Sequence, residues 1–129
     1  MKTSLQWLPV LLWAAVIFVL SSMPVPPSPV PEFPFRDKVA HVILYAVLAT
    51  LVARTLRRAH RLTLPATLTL AILMASAYGV TDEVHQRFVP RRSCDVRDWV
   101  ADTLGATLAA AAFYAYESRR SAKANRQAA

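Results

Sequence analysis

The stretches VAHVILYAVLATLVARTL (39–56) and LTLPATLTLAILMASAYGV (62–80) decide the fold. The first carries one histidine and one arginine, and the second carries no acid, lysine, arginine or histidine. An amphipathic helix of a soluble bundle would show polar residues every third or fourth position, and these stretches do not. At about 1.5 Å per residue, about 20 helical residues cross a hydrocarbon core roughly 30 Å thick. Outward in both directions lie comparable blocks at 5–20 and 99–116, so the chain holds four apolar blocks of 16 to 19 residues. Hydrophobic residues make up 55% of the 129 residues and the mean hydropathy is +0.32, above an ordinary soluble domain. The expected fold is an all-α membrane protein, a four-transmembrane-helix bundle. Its spans fall at about 5–22, 37–56, 62–84 and 96–116, forming one domain over 1–116, and 117–129 follows as a loose basic tail.

Charge placement orients this bundle. With the N-terminus, the 54–61 loop and the tail on one side, that side holds nine Lys/Arg and the single acid Glu117. The other side holds six Lys/Arg and seven acids. Basic residues stay cytoplasmic, so the expected topology is N-in/C-in in the inner (plasma) membrane, with the acidic face outward. The net charge of +7 is thereby accounted for as topological anchoring at anionic headgroups, and nucleic acid is not an expected partner. The single cysteine, Cys94, excludes an internal disulfide and a multi-thiolate metal site, and reads as an outer-loop residue.

The first block ends in Leu20-Ser21-Ser22-Met23-Pro24, without an Ala-x-Ala-like cleavage site, and is expected to be a retained span. Six of nine prolines follow between Ser22 and Pro34, where they favour an extended strap. Pro65 suits the first turn of the third span, Pro90 breaks the chain in the turn 88–93, and Ser93 or Asp95 can cap the last span. Trp7, Tyr114 and Tyr116 fall at one interface, with Phe35, Phe88 and Trp99 at the other. Small residues recur every four positions at Ala71, Ala75 and Gly79 and at Ala101, Gly105 and Ala109, which predicts that the third and fourth spans pack along these stripes.

The outer ends of the last three spans hold the residues that can carry chemistry. Asp37, His41 and Tyr45 share one face, with Lys38 beside them. Tyr78, Asp82 and Gln86 form a second stripe, Glu83 continues the small stripe toward the last span, and Asp95, Asp98 and Asp102 line up with Gly105. Helical geometry turns Glu83, Asp98 and Asp102 toward one another, with His41 able to close the cluster. Ionisable groups at that depth are costly and face a bundle interior with a partner or water. Three readings are open. The groups are structural ion pairs, a divalent cation is held by carboxylates and imidazole, or Arg87, Arg91 and Arg92 clamp a phosphate while the acids or His41 act on it. The catalytic candidates are His41, Glu83, Asp98 and Asp102; no cofactor is expected, and a metal stays an alternative. His85 and Arg97 read as solvated.

Four blocks of sequence resemble the VanZ-like family of small membrane proteins. They are Phe18-Val-Leu-Ser21-Ser22-Met-Pro24, Asp37-Lys38-x-x-His41-x-x-x-Tyr45, Tyr78-Gly79-x-x-Asp82-Glu83-x-x-Gln86-x-Phe88-x-Pro90-x-Arg92, and Asp95-x-x-Asp98-x-x-x-Asp102-x-x-Gly105. The resemblance implies that Asp37, Lys38, His41, Asp82, Glu83, Gln86, Arg92, Asp98 and Asp102 occupy motif positions and bind the substrate. Arg91 stands where many relatives carry Gly, and Asp102 where Asn is frequent. The family is associated with low-level teicoplanin resistance. The expected partners are therefore membrane lipids or a lipid-linked cell-wall precursor, with a homo-oligomer as a further possibility. Three classes of function remain open: a binding module at the cell surface, an enzyme on lipid headgroups, and a structural scaffold or small carrier.

Overall fold

The computed structural model describes residues 3–24 and 35–128. Lys2, the prolines between Val25 and Pro34, and Glu32 lie outside them. Within them the chain is all helix: α1 (Thr3–Gln6), α2 (Leu8–Ser21), α3 (Arg36–Ala59), α4 (Leu64–Gln86) and α5 (Val96–Ala128).

The first expected span, 5–22, is broken. Trp7 is a turn residue and Pro9 stands in the first turn of α2, where its missing N–H leaves no hydrogen bond unmade. The 14 residues of α2 reach about 21 Å. The tail also differs from expectation, because α5 continues for 33 residues through Ala128. Its last turns, Ala122–Gln127, carry Ala, Lys, Arg and Gln, good helix formers that outnumber the one weaker residue, Asn125, so the backbone has no reason to stop at the last aromatic. Only α3 and α4 are both long and apolar enough to cross a membrane by those measures. Between Trp99 and Tyr116, α5 is rich in alanine, has only two leucines and carries Asp102, which lowers its hydropathy.

The four longer helices alternate in direction. At one end, Trp7 Nε1 donates to His60 Nε2 at 3.1 Å, Thr55 Oγ1 donates to Gln6 O at 2.9 Å, and Arg57 pairs with Glu117 at 3.3 Å. At the other end, Ser22 Oγ lies 3.0 Å from His85 Nε2 and Lys38 reaches Asp95 and Asp98. The basic residues of the α3 and α5 C-termini thus share one end with Glu117, and the other described acids lie at the opposite end. As expected, Asp95 caps α5, its Oδ1 accepting the Arg97 N–H at 2.8 Å.

The interior is built from small residues. Ala49, Ala53, Ala71, Ala75, Ala101 and Ala106 are buried, filled out by Val10, Ile17, Leu48, Val52 and Leu56. Large side chains point outward on every long helix: Leu11, Leu12, Phe18, Ile43, Leu73, Leu104 and Leu108 are all at least half exposed. The two glycines act on different neighbours. A Cβ at Gly105 would collide with the carbonyl oxygen of Val42, so Gly105 brings α5 against the α3 backbone rather than against α4. The expected pairing of both glycine stripes within one α4–α5 hairpin therefore holds only for Gly79, whose added Cβ would meet Asp102. Helix α3 is the common neighbour of the bundle because its small face, at Ala49 and Ala53, admits both later helices.

Gly105→Ala is expected to cost about 3 kcal/mol, because a backbone carbonyl cannot yield as a side chain does. Leu11→Ile, on an exposed surface, should melt within a degree or two of the parent in detergent. Arg91 adopts a left-handed conformation with φ 64 in the α4–α5 connection, a backbone that Gly adopts without strain. Arg91→Gly should raise stability by about 0.5–1 kcal/mol in the same assay; a loss would show that the Arg91 side chain outweighs its backbone strain.

Candidate functional site

The first two turns of α3 set one wall. Lys38 and His41 lie three residues apart on the side facing α5, and Tyr45 follows one turn deeper with no exposed surface. Lys38 Nζ donates to Asp98 and, at 3.0 and 3.1 Å, to Asp37 and Asp95. His41 Nδ1 lies 2.8 Å from Asp102 Oδ1, and its Nε2 is 3.9 Å from Asp98 Oδ2. The Tyr45 ring stacks parallel to the imidazole with centroids 6.4 Å apart. A neutral imidazole that donates from Nδ1 to Asp102 keeps Nε2 as an acceptor, so the carboxylate fixes both ring orientation and tautomer.

The second wall is α4. Glu83 is buried, and its Oε2 accepts the Asp95 backbone N–H at 2.8 Å, satisfying one of the orphan donors at the start of α5. Gln86 Nε2 donates to Asp82 at 3.1 Å, one turn earlier on the same helix. Gly79 lies under Asp102: a Cβ there would stand 2.6 Å from Asp102 Oδ2, so only glycine leaves the carboxylate its place. Asp102 consequently has no exposed surface. Outside the bundle, the Arg97 N–H and the Lys38 ammonium hold the Asp95 carboxyl below the usual carboxylate range.

Five buried polar atoms make no hydrogen bond among the described residues: Ser21 Oγ, Tyr45 Oη, Glu83 Oε1, Arg92 Nε and Asp102 Oδ2. Buried polar groups are ordinarily paired, and here the exceptions fall at the acidic end of the bundle. The acids outnumber the bases among them. Asp82, Glu83, Asp98 and Asp102 are buried, while Lys38 is committed to three carboxylates and His41 to one.

All nine motif residues come to this end, in three different settings. Lys38, His41, Glu83, Asp98 and Asp102 converge. Asp82 and Gln86 pair with each other. Asp37 stands on the rim, 62% of its side chain exposed, so the face read as Asp37/His41/Tyr45 turns inward through Lys38 instead. Arg92 is half-buried, and Arg87 and Arg91 are exposed, so the three arginines do not form one inward clamp. His85 is not a solvated loop residue: its ring packs on Phe18 at 4.6 Å and meets Ser22. Tyr45 and Gly79 belong to the site as well. Their sequence signal was the spacing of four from His41 and from Glu83.

A helical bundle with a buried acid–base cluster at one end defines the class of this protein. The family model described as VanZ/LLP1 matches residues 6–117, and the chain belongs to that family. Neither a curated protein nor a solved structure matches it.

The cluster predicts opposite signs for two isosteric changes, measured as melting in detergent with EDTA. Asp98→Asn removes the closest partner of Lys38 and should cost about 1–3 kcal/mol. Glu83→Gln keeps the acceptor for the Asp95 N–H but removes a buried carboxylate with one unpaired oxygen, and should leave stability unchanged or raise it. Equal large losses in both would mean that both carboxylates act as scaffold.

Proposed function

We propose that this VanZ/LLP1-family chain is a multi-pass protein of the plasma membrane. Its acidic end, facing outward, binds the polar head of an envelope lipid or lipid-linked cell-wall component and so affects teicoplanin susceptibility. The spanning arrangement takes in α1–α2, α3, α4 and α5, with both termini cytoplasmic. It rests on the inverted distribution of side-chain size: small residues inside, and leucine, isoleucine and phenylalanine outside on all four long helices. Water disfavours such a surface, whereas lipid tails accept it, and small residues are what lets helices approach in lipid.

Orientation rests on the basic end. Arg54, Arg57, Arg58 and Arg61 line a cavity of about 720 Å³ there, together with Phe113 and Tyr116. That arrangement suits anionic headgroups of a cytoplasmic leaflet. Acid–base chemistry belongs to the opposite end, where groups from three helices meet.

The observation that carries the ligand-binding reading is the set of unpaired buried polar atoms, foremost Glu83 Oε1 and Asp102 Oδ2. A scaffold built for stability alone gains little from buried ions over apolar packing. A second reading, an enzyme acting on headgroups, is favoured by the His41–Asp102 pair, in which a carboxylate orients an imidazole as a general base requires.

Two measurements test the proposal. Cys94 is exposed in the α4–α5 connection and should react with a membrane-impermeant maleimide in intact spheroplasts. Labelling only after lysis would reverse the orientation. Native mass spectrometry of the full chain extracted from membranes should retain a phospholipid or a polyprenyl-phosphate lipid, and Lys38→Met should lose it. A chain that carries no lipid and alters no teicoplanin susceptibility when expressed would overturn the reading.

A further inference from the structure

We infer that His41, Glu83 and Asp102 form a binding site for one divalent transition-metal ion. This deepens the proposed function and rests on it only for the ion's role, not for its binding. One coordinating atom from each of the three residues lies within 4.8 Å of the other two, and all three residues are buried. Ligand atoms about 2.0–2.2 Å from a shared ion stand at most about 4.4 Å apart, so small side-chain rotations close the set.

Independent of this proximity, two of the three ligands present unsatisfied oxygens. Glu83 Oε1 and Asp102 Oδ2 have no hydrogen-bond partner, and these residues are 4% and 0% exposed. Leaving such atoms bare in a low-dielectric interior is costly when they are charged, and a cation removes the cost. Among the described residues no lysine or arginine is bonded to them: Lys38 is spent on Asp37, Asp95 and Asp98, and Arg92 Nε is itself unpaired. Glycine at position 79 is the matching backbone feature, because any side chain there would displace Asp102 Oδ2.

The donor set decides the class of ion. Two hard carboxylates with one borderline imidazole make a mixed set that suits Zn²⁺ or Mn²⁺, whereas Mg²⁺ and Ca²⁺ prefer oxygen alone. Asp98, whose Oδ2 stands 3.9 Å from His41 Nε2, lies beside the set and is not one of its three ligands. Three protein ligands leave at least one coordination position for water or for a phosphate oxygen of a lipid headgroup.

The test uses the full chain in detergent, stripped with EDTA and titrated separately with Zn²⁺, Mn²⁺ and Mg²⁺. The expected result is one Zn²⁺ or Mn²⁺ per chain by calorimetry and elemental analysis, a raised melting temperature, and no comparable effect of Mg²⁺. Glu83→Gln and Asp102→Asn should each weaken binding more than about a hundredfold, beyond the roughly 10–100-fold of outer-shell partners. Glu117→Gln, at the opposite end, should bind as the parent does. Gly79→Ala keeps every ligand and should still fold, since it displaces a side-chain tip, yet it should lose affinity too. Absence of stoichiometric binding by the parent, or equal binding by parent and Glu83→Gln, overturns the site. Vesicles of phosphatidylglycerol presented to stripped and to loaded protein separate the two ideas. Lipid binding by a protein that takes no ion refutes the ion and keeps the headgroup reading, and ion binding without lipid binding does the reverse.

Discussion

Asp102 is fully enclosed by α3, α4 and its own helix, and the bundle is arranged around that fact. A carboxylate at such a position needs a donor within reach and room for its second oxygen. His41 provides the first, at 2.8 Å, from the second turn of α3. Gly79 provides the second by having no side chain where α4 crosses. Each requirement fixes one helix relative to α5. Gly105, one turn further on, completes the register by bringing α5 against the backbone of Val42. Two glycines and one aspartate therefore set the spacing of three helices, and the apolar packing below them follows.

The same arrangement separates two kinds of charge. Lys38 bridges the outer layer, Asp37, Asp95 and Asp98, in a network open to solvent on one side. Such pairs are worth modest amounts individually, because water competes for each of them. One turn deeper, Glu83 and Asp102 have one imidazole between them and two oxygens without partners. The outer layer is thus a closed network that holds the ends of α3 and α5 together. The inner layer is an incomplete one. Incomplete buried networks are destabilising unless something else completes them, which is why the inner layer, rather than the more numerous outer acids, is the place to look for a ligand.

Much of this was legible in the residues. The runs at 39–56 and 62–80 are too apolar and too long for an ordinary amphipathic helix, and both are helices of the expected extent. Spacings of three and four placed Glu83, Asp98 and Asp102 on facing surfaces, with His41 closing from α3, because helical period converts sequence separation directly into angle. The cap at Asp95 and the proline at position 65 followed from single backbone groups, a donor to satisfy and a donor that is missing.

What the sequence determined by itself, then, was which residues are helical and which side of each helix they occupy, since both depend on short-range geometry. The tertiary structure decided which helix each face meets. Gly105 reads equally well as a contact for α4 or for α3, because a small residue states only that something comes close. Asp37 and Lys38 are adjacent, and only the crossing of α3 over α5 turns the lysine inward and leaves the aspartate on the rim. The interruption at Trp7 and the continuation of α5 to Ala128 likewise lay beyond a hydropathy reading, which measures affinity for lipid and not where a helix starts or stops. The pairing of Asp102 with His41 and the unpaired oxygen beside it were set by distances between helices, a quantity no single helix contains.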